Sequence, residues 1–199
     1  MILPTLAVQQ INLLFMSSYF SNKLSKGKII LFLLGFLVVL TVMFLVISKQ
    51  SGQKVEREIN GDSMIPTLKE GQRVLVEYGY YKDHQVNRGD IIVMKFKTRD
   101  FEDVKRVIAI PGDKIVFGNN SRIYLNDKIL EEDYIKGESF RKEDLYLLLK
   151  QLEYFNNTLP KGYYLVFGDN REISYDSTNY GLVLAEQIVG KVVSLKTED

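Results

Sequence analysis

Two short segments of this chain carry a serine and a lysine that could together form a hydrolytic site. Ser63 lies in Asn60–Leu68, NGDSMIPTL, and Lys105 lies in Val104–Asp113, VKRVIAIPGD. A hydroxyl is a weak nucleophile until a base takes its proton. Lys105 can be that base only when it is neutral, so its pKa must fall by roughly two to three units from about 10.4. The two segments therefore predict a serine–lysine hydrolase if Lys105 is desolvated.

The neighbours of Lys105 are residues that would desolvate it. Burial among apolar groups disfavours the charged ammonium and lowers a lysine pKa. The alternative is an exposed strand residue whose ammonium stays in water, which the pair Lys105-Arg106 taken alone favours. The company of the Ser63 segment reverses that preference. The apolar residues around Lys105 are Val104, Val107, Ile108 and Ile110.

The composition excludes other hydrolytic chemistries. The chain has 199 residues, no cysteine and one histidine, which excludes thiol catalysis, disulfides and cysteine-bound zinc. A Ser-His-Asp hydrolase would need His84, which lies in the polar segment 81–89 and is predicted to have a structural or surface role. With no cluster of metal-binding residue types, we expect no metal and no organic cofactor.

The charge balance argues against a nucleic-acid partner. The chain has 26 basic and 25 acidic residues, for a net charge of +1. Basic residues are interspersed with acidic ones, so the sequence offers no massed positive field for a nucleic acid.

An apolar run predicts a membrane-spanning helix at Ile29–Ser48, IILFLLGFLVVLTVMFLVIS. Roughly twenty uncharged residues match a hydrocarbon core about 30 Å thick. A cleaved signal peptide is the alternative, but the run is longer than a typical signal-peptide core and no small-x-small site follows it directly. Residues 1–28 are then an N-terminal tail, with translation starting at Met1 or Met16. Basic residues are balanced on the two sides, so the positive-inside rule does not set the orientation.

Beyond the helix, residues 49–199 predict one compact, mainly β domain of roughly 150 residues. Short β-branched and aromatic runs alternate with Gly, Asn and Asp, and Asn126-Asp127 is a two-residue hairpin signal. Leucines at helical spacing predict an amphipathic helical insertion within Phe140–Phe155. The predicted strands are Arg73–Tyr81, Asp90–Lys97, Val104–Ile110, Lys114–Phe117, Ile123–Leu125, Lys128–Leu130, Tyr163–Phe167 and Ile188–Leu195.

Four motifs in this order resemble those of bacterial type I signal peptidases, the membrane-bound serine–lysine endopeptidases that remove signal peptides from exported proteins. The motifs are GDSMIPTL at 61–68, RGDIIV at 88–93, VKRVIAIPGD at 104–113, and GDNR at 168–171 continuing to Ser174, Asp176, Ser177 and Gly181. The length and the single predicted anchor resemble Gram-positive members. The resemblance implies a signal-peptidase-type catalytic domain outside the cell membrane and a cytoplasmic N-terminus.

The resemblance also implies roles for the motif residues. Ser63 would be the nucleophile and Lys105 the general base. Ser174 would hydrogen-bond the lysine ammonium and orient it, while Asp169 and Arg106 would form a supporting ion pair.

Two positions depart from the family pattern. The backbone N–H of Ser63 is one candidate oxyanion donor. Gly61 stands where Gram-negative members place a serine hydroxyl, so the second donor stays open. Asp176 matches a further acidic position of the family. Thr178 stands where the family usually has arginine, which removes the expected partner of Asp176.

The substrate class follows from the resemblance. An extended peptide would add beside strands near the nucleophile, at Glu56–Ser63 and Glu102–Lys105. Shallow apolar pockets would admit only small residues, giving cleavage after small-x-small sites. Exported preproteins and the lipid bilayer are the expected partners of a monomeric enzyme. The predicted pocket residues are Ile59, Met64, Leu68 and Val104, of which Leu68 is equally well a core residue.

Two other functions were weighed against this one. A signal-peptidase-like membrane protein that binds secreted or pilus subunits without cutting would have lost the serine or the lysine, and this chain keeps both. A self-cleaving serine–lysine regulator of the SOS-repressor type would be soluble and carry a DNA-binding domain. The predicted spanning helix and the lack of a helix-turn-helix segment argue against that regulator.

Overall fold

The computed structural model describes residues 26–48, 52–118, 122–135 and 145–195. The chain divides after Gln50 into two units. The first unit contains helix α1, Lys26–Ser48. Its stretch Gly27–Phe44 has a mean hydropathy of 2.5 and is long and apolar enough to cross a membrane. The helix begins three residues before the predicted span, and most of the predicted tail, residues 1–25, lies outside the described residues.

The second unit is mainly β, as predicted. Besides its strands it contains helices α2, Tyr146–Tyr154, and α3, Ser177–Tyr180. Single turns of 3-10 helix occur at Tyr80–Lys82 and Ala185–Gln187. The strands are β1 Gln53–Glu58, β2 Arg73–Tyr78, β3 Ile91–Lys95, β4 Glu102–Ala109, β5 Ile115–Phe117, β6 Ile123–Leu125, β7 Lys128–Ile129, β8 Tyr163–Phe167, β9 Val183–Leu184 and β10 Ile188–Leu195.

The strands of the described residues form two antiparallel sheets. The larger has seven strands in the order β1-β2-β10-β3-β4-β8-β9, and the smaller has the order β5-β6-β7. Asn126 and Asp127 join β6 to β7 with φ angles of 52° and 65°, the left-handed conformation of a tight hairpin turn. The predicted hairpin is confirmed.

All eight predicted strands are present, three of them with the predicted ends. Strand β2 ends at Tyr78, earlier than predicted, because Gly79 takes a φ of 74° and a 3-10 turn follows. Strands β1 and β9 were not predicted from the residue pattern, although the family resemblance placed a strand from Glu56, within β1, beside the substrate. Strand β1 reads QKVERE and has five exposed positions out of six, so it lacks the alternation that marks a half-buried strand.

Helix α2 confirms a helical insertion within the predicted segment. Leu145, Leu148 and Leu152 are buried and pack with residues of β6 and β8, whereas Leu149 is exposed. Residues 140–144 of the predicted segment lie outside the described residues.

Strand β4 is the element that positions the lysine. It pairs with β3 over Glu102–Arg106, whereas β8 joins its other edge only from Arg106 onward. Among the described residues, Glu102–Lys105 therefore has one edge without a strand partner. A core of apolar side chains packs beside this segment; it comprises Ile59, Met64, Leu68, Val74, Val76, Val93 and Val192.

Candidate active site

Ser63 and Lys105 meet in the folded chain. Ser63 lies in the loop between β1 and β2, and Lys105 lies in the middle of β4. The Lys105 Nζ donates a hydrogen bond of 3.1 Å to the Ser63 Oγ and one of 2.9 Å to the Val104 carbonyl oxygen. When Lys105 is neutral, the same contact lets the Ser63 hydroxyl give its proton to Nζ.

Lys105 is buried, as the sequence predicted. It is 3% exposed, and this burial lowers its pKa below the ordinary lysine value. The carboxylates of Asp103 and Asp176 act in the opposite direction, and the charge of Arg99 lowers the pKa further. Desolvation is the largest of these effects, so the pKa of Lys105 moves in the direction that a general base requires.

The loop after β8 binds the nucleophile segment through its backbone. The backbone N–H of Asn170 donates a 3.0 Å hydrogen bond to the Ser63 carbonyl oxygen, and the side-chain Nδ2 of Asn170 donates to the Asp62 carbonyl oxygen at 3.2 Å. Gly168 lies where the two segments approach most closely. A Cβ atom there would stand 2.4 Å from the Ser63 carbonyl oxygen. Only glycine fits between them.

Ser174 reaches the site but does not make its predicted hydrogen bond to Lys105. Its Oγ is buried and has no hydrogen-bond partner among the described residues. It faces Gly168, at 2.2 Å from where a Cβ of that residue would be. The Lys105 Nζ is instead directed to Ser63 and to the Val104 carbonyl oxygen. Ser174 is therefore next to the site without a bond to the lysine.

The predicted ion pair of Arg106 with Asp169 is present, and its carboxylate is buried. The guanidinium donates to both carboxylate oxygens, at 2.8 and 2.7 Å, and the two side chains are 12% and 0% exposed. Thr67 joins the pair, with its hydroxyl donating to Asp169 and accepting from Arg106 at 3.1 Å. The sequence analysis missed Thr67, although it lies in the same motif as Ser63. The ion pair thus ties β4 to the Ser63 loop and the loop after β8.

Asp176 keeps a full set of partners despite the missing arginine. One carboxylate oxygen accepts a 2.9 Å hydrogen bond from the Gly168 N–H. The other accepts 3.1 Å bonds from the backbone N–H and the hydroxyl of Thr178. Thr178, which stands where the family usually has arginine, supplies two of these bonds because Asp176 caps the start of α3 and Thr178 lies in its first turn.

A cleft of about 530 Å³ opens beside the serine and the lysine. Its walls come from the end of β1 and the beginning of β4. Of the predicted pocket residues, Ile59, Met64 and Val104 line it. Leu68 does not; it is fully buried in the adjoining core, so the core alternative holds for that residue. Valines that the sequence analysis did not assign also line the cleft: Val74, Val76 and Val93.

The backbone N–H of Ser63 is a candidate oxyanion donor. Among the hydrogen bonds of the described residues, none uses this N–H. Gly61 has a φ of 84° and no side chain, so it adds no hydroxyl donor. His84 is exposed, stacks on Tyr80 and binds its carbonyl oxygen, in agreement with a surface role. The described residues hold no group of three or more His, Cys, Asp or Glu side chains that could bind a metal ion.

Comparisons with known proteins agree with the motifs. A family model described as "Signal peptidase, peptidase S26" matches residues 23–195. Signal peptidase IB of Staphylococcus aureus is 43% identical over 141 residues, which cover 67% of this chain and 73% of that protein. Signal peptidase I U of Bacillus subtilis is 39% identical over 133 residues, which cover 66% and 70%. A crystal structure of a signal peptidase I from Enterococcus faecalis shares 25% identity, with a TM-score of 0.39, over 55% of this chain and 98% of that one.

Proposed function

Because this chain belongs to the S26 signal peptidase family, we propose that Ser63 is the nucleophile and Lys105 the general base with which it cuts signal peptides. The chain is a serine peptidase that removes signal peptides from exported proteins. The observation that carries the residue assignment is the 3.1 Å contact between the Ser63 Oγ and the Nζ of a lysine that is only 3% exposed.

The reaction follows from that contact. The Ser63 Oγ attacks the scissile carbonyl carbon while its proton moves to the neutral Nζ of Lys105. The negative charge that develops on the carbonyl oxygen is stabilised by the Ser63 N–H. The protonated Lys105 then gives its proton to the leaving amine, which releases the mature protein and leaves an ester on Ser63. A water molecule, deprotonated by Lys105, hydrolyses that ester.

The substrate would bind as an added strand. One edge of β1 has no strand partner among the described residues, and neither has one edge of Glu102–Lys105 in β4. Both border the cleft that holds Ser63. An extended peptide in the cleft can hydrogen-bond these edges with its backbone while alternate side chains enter pockets. This arrangement places the scissile bond beside the nucleophile.

The apolar wall of the cleft accounts for a preference for small residues. Ile59, Met64 and Val104 bring branched and long side chains next to Ser63. We infer that these side chains make the pocket beside Ser63 shallow, so that it accepts small substrate side chains. Cleavage after small-x-small sites is the specificity that follows.

The chain is a single-pass membrane protein, with α1 as its candidate span. We assign the N-terminus to the cytoplasm and the catalytic unit, residues 49–199, to the outer side of the cell membrane, since exported proteins present their cleavage sites there. Lipid would then border the working enzyme, which we take to be a monomer.

The two other functions are not favoured. A binding protein without activity has no need of a buried lysine held against a serine hydroxyl. A self-cleaving repressor is not a member of a signal peptidase family.

The test is cleavage of a preprotein that carries an alanine-x-alanine site by the detergent-solubilised full chain. The native protein is expected to cut after the second alanine, as read by N-terminal sequencing of the product. Ser63→Ala and Lys105→Ala should be folded and inactive, and the exposed-lysine control Lys114→Ala should cut normally. A native protein without activity, or an active Ser63→Ala, would overturn the assignment.

A further inference from the structure

Arg99 occupies a cage of aromatic rings in the hairpin between β3 and β4. Four rings lie within 6 Å of its guanidinium carbon, close enough for cation–π attraction. Its Nη1 also donates a 2.9 Å hydrogen bond to the carboxylate of Asp103, and the two side chains are 21% and 16% exposed. The rings belong to Phe96, Phe101, Tyr175 and Tyr180, at 4.7, 5.8, 4.9 and 5.5 Å.

Asp103 and Lys105 project from the same face of β4. Residues two apart in a strand point the same way, about 7 Å from each other. Both side chains line the cleft. A carboxylate at this separation in a partly dry cleft favours the charged form of the lysine, which is the form that cannot accept the Ser63 proton.

We propose that Arg99 is a positioning residue that holds the Asp103 carboxylate and offsets its charge, so that Lys105 stays available as a neutral base. This inference rests on the proposed role of Lys105 and adds a residue that none of the sequence motifs contains. Arg99 does not itself line the cleft; it holds Asp103, which does.

The other charges facing Lys105 support this role. Asp103 and Asp176 both raise the lysine pKa, and Arg99 lowers it. Asp176 is engaged by the Gly168 N–H and by Thr178. Arg99 is thus the cation that works with burial, against the two carboxylates.

The cage explains why the cation is an arginine. A planar guanidinium can stack on several rings while its N–H groups face a carboxylate, whereas an ammonium is a flexible point charge. Tyr180, one of the rings, is half-buried, and its buried hydroxyl has no partner among the described residues. The rings fix the position of the charge instead of leaving it free in solvent.

The test is a titration of Lys105 that needs no catalysis. The full chain carrying Ser63→Ala, with lysine labelled by 13C at Cε, is titrated by NMR in detergent, and Lys105→Arg in the same background assigns the resonance. Arg99→Gln should move the Lys105 midpoint to higher pH, and Asp103→Asn should move it to lower pH. The double variant should return close to the starting midpoint.

A matched control removes a cation from the same hairpin. The side chain of Lys97 is 91% exposed and pairs with Glu186, so Lys97→Gln changes the charge equally without touching the cage. It should leave the Lys105 midpoint in place. Arg99→Lys keeps the charge, so its Lys105 midpoint should lie much closer to the starting value than that of Arg99→Gln.

The second readout is activity, measured in proteins that keep the native Ser63. At a pH below the lysine midpoint, Arg99→Gln should lower kcat/KM about three- to tenfold and displace the rising limb of the pH profile, with the plateau at high pH retained. Equal loss at every pH would indicate a merely structural role and overturn the inference. If both single variants move the midpoint the same way, or neither moves it, the inference also fails.

The two proposals fail in different ways. An active Lys105→Ala would overturn the proposed dyad whatever the titration shows. An inactive Lys105→Ala together with an unmoved Lys105 midpoint in Arg99→Gln would overturn the role of Arg99 alone.

Discussion

The backbone N–H of Asn170 donates a 3.0 Å hydrogen bond to the carbonyl oxygen of Ser63. This bond joins two motifs that are more than a hundred residues apart in the sequence. It holds the main chain of the nucleophile, while Lys105 of β4 contacts the Ser63 hydroxyl. The serine is therefore held by the backbone of the loop after β8, and its hydroxyl is hydrogen-bonded by a side chain of a sheet strand.

Gly168 is expected to tolerate no side chain. A methyl group there would collide with the Ser63 carbonyl oxygen and with Ser174, so Gly168→Ala must push the nucleophile loop away. A displacement of about 1 Å can cost roughly a hundredfold in rate. Preprotein cleavage by Gly168→Ala should fall by at least that factor.

The control for this variant is Gly162→Ala. Gly162 has a φ of 83° and open space around its Cβ position, so its substitution strains the backbone without a collision. It should lower stability by about 1 kcal/mol and leave kcat/KM unchanged. Equal kcat/KM for Gly168→Ala and the native chain would contradict the close packing described above.

Lys105→Met should stabilise the protein at neutral pH. Burial lowers the folded-state pKa of Lys105 below its value of 10.5. As pH falls below 10.5, the unfolded chain takes up a proton that the folded state resists, so the native protein loses stability relative to the methionine variant. Each unit of pKa lowering corresponds to about 1.4 kcal/mol.

Chemical denaturation at several pH values measures this linkage. The advantage of Lys105→Met should be largest at neutral pH and shrink as pH rises towards 10.5. Lys97→Met, at an exposed lysine, should show no such trend. An advantage that is absent, or that grows with pH, would mean that Lys105 is not desolvated.

Asp169→Asn should lower the free energy of unfolding. The variant leaves the Arg106 guanidinium, which is 12% exposed, without its bidentate carboxylate, and breaking a largely buried pair in this way costs about 3 kcal/mol. Asp127→Asn is the matched control, because Asp127 is 76% exposed and pairs with Lys114 on the surface. Urea denaturation should show the large loss only for Asp169→Asn, and a small loss there would remove Asp169 from the support of the site.

Val104→Ala should relax the preference for small residues. Val104 lines the cleft beside Ser63, and its truncation to alanine removes two methyl groups from the cleft wall. The ratio of kcat/KM for substrates with valine or alanine at the small positions should rise about tenfold. Val116→Ala, at an exposed position of β5, should leave the ratio unchanged, and an unchanged ratio in Val104→Ala would place the pocket elsewhere.

The sequence predicted elements whose local pattern is strong. Strands β8 and β10 alternate or are continuously apolar and were placed to the residue, and α1 was evident from its uncharged length. Strand β1 was missed because its charged side chains leave no apolar face. It forms because β2 offers a partner for all six of its residues, which is a tertiary cause.

The site was predictable where motifs name residues and unpredictable where partners depend on local geometry. Ser63 and Lys105 were expected to meet, and they do. The partners of Asp176 were not foreseen, since they arise from a helix cap at Thr178 that only the folded backbone defines. The Ser174 hydroxyl has no hydrogen-bond partner among the described residues, which likewise reflects the direction that Lys105 takes within β4.

Replacement of the Lys105 amine by chemistry tests the central claim most directly. The chain has no cysteine, so Lys105→Cys creates a unique thiol that can be alkylated with bromoethylamine in the unfolded protein before refolding. The product has an amine at nearly the position of the lysine, and its sulfur makes the ammonium a stronger acid. The account predicts an inactive cysteine variant, restored preprotein cleavage after alkylation, and a rising limb of the pH profile at lower pH than in the native protein. Cleavage by Lys105→Cys before alkylation, or a folded alkylated protein that stays inactive, would contradict it.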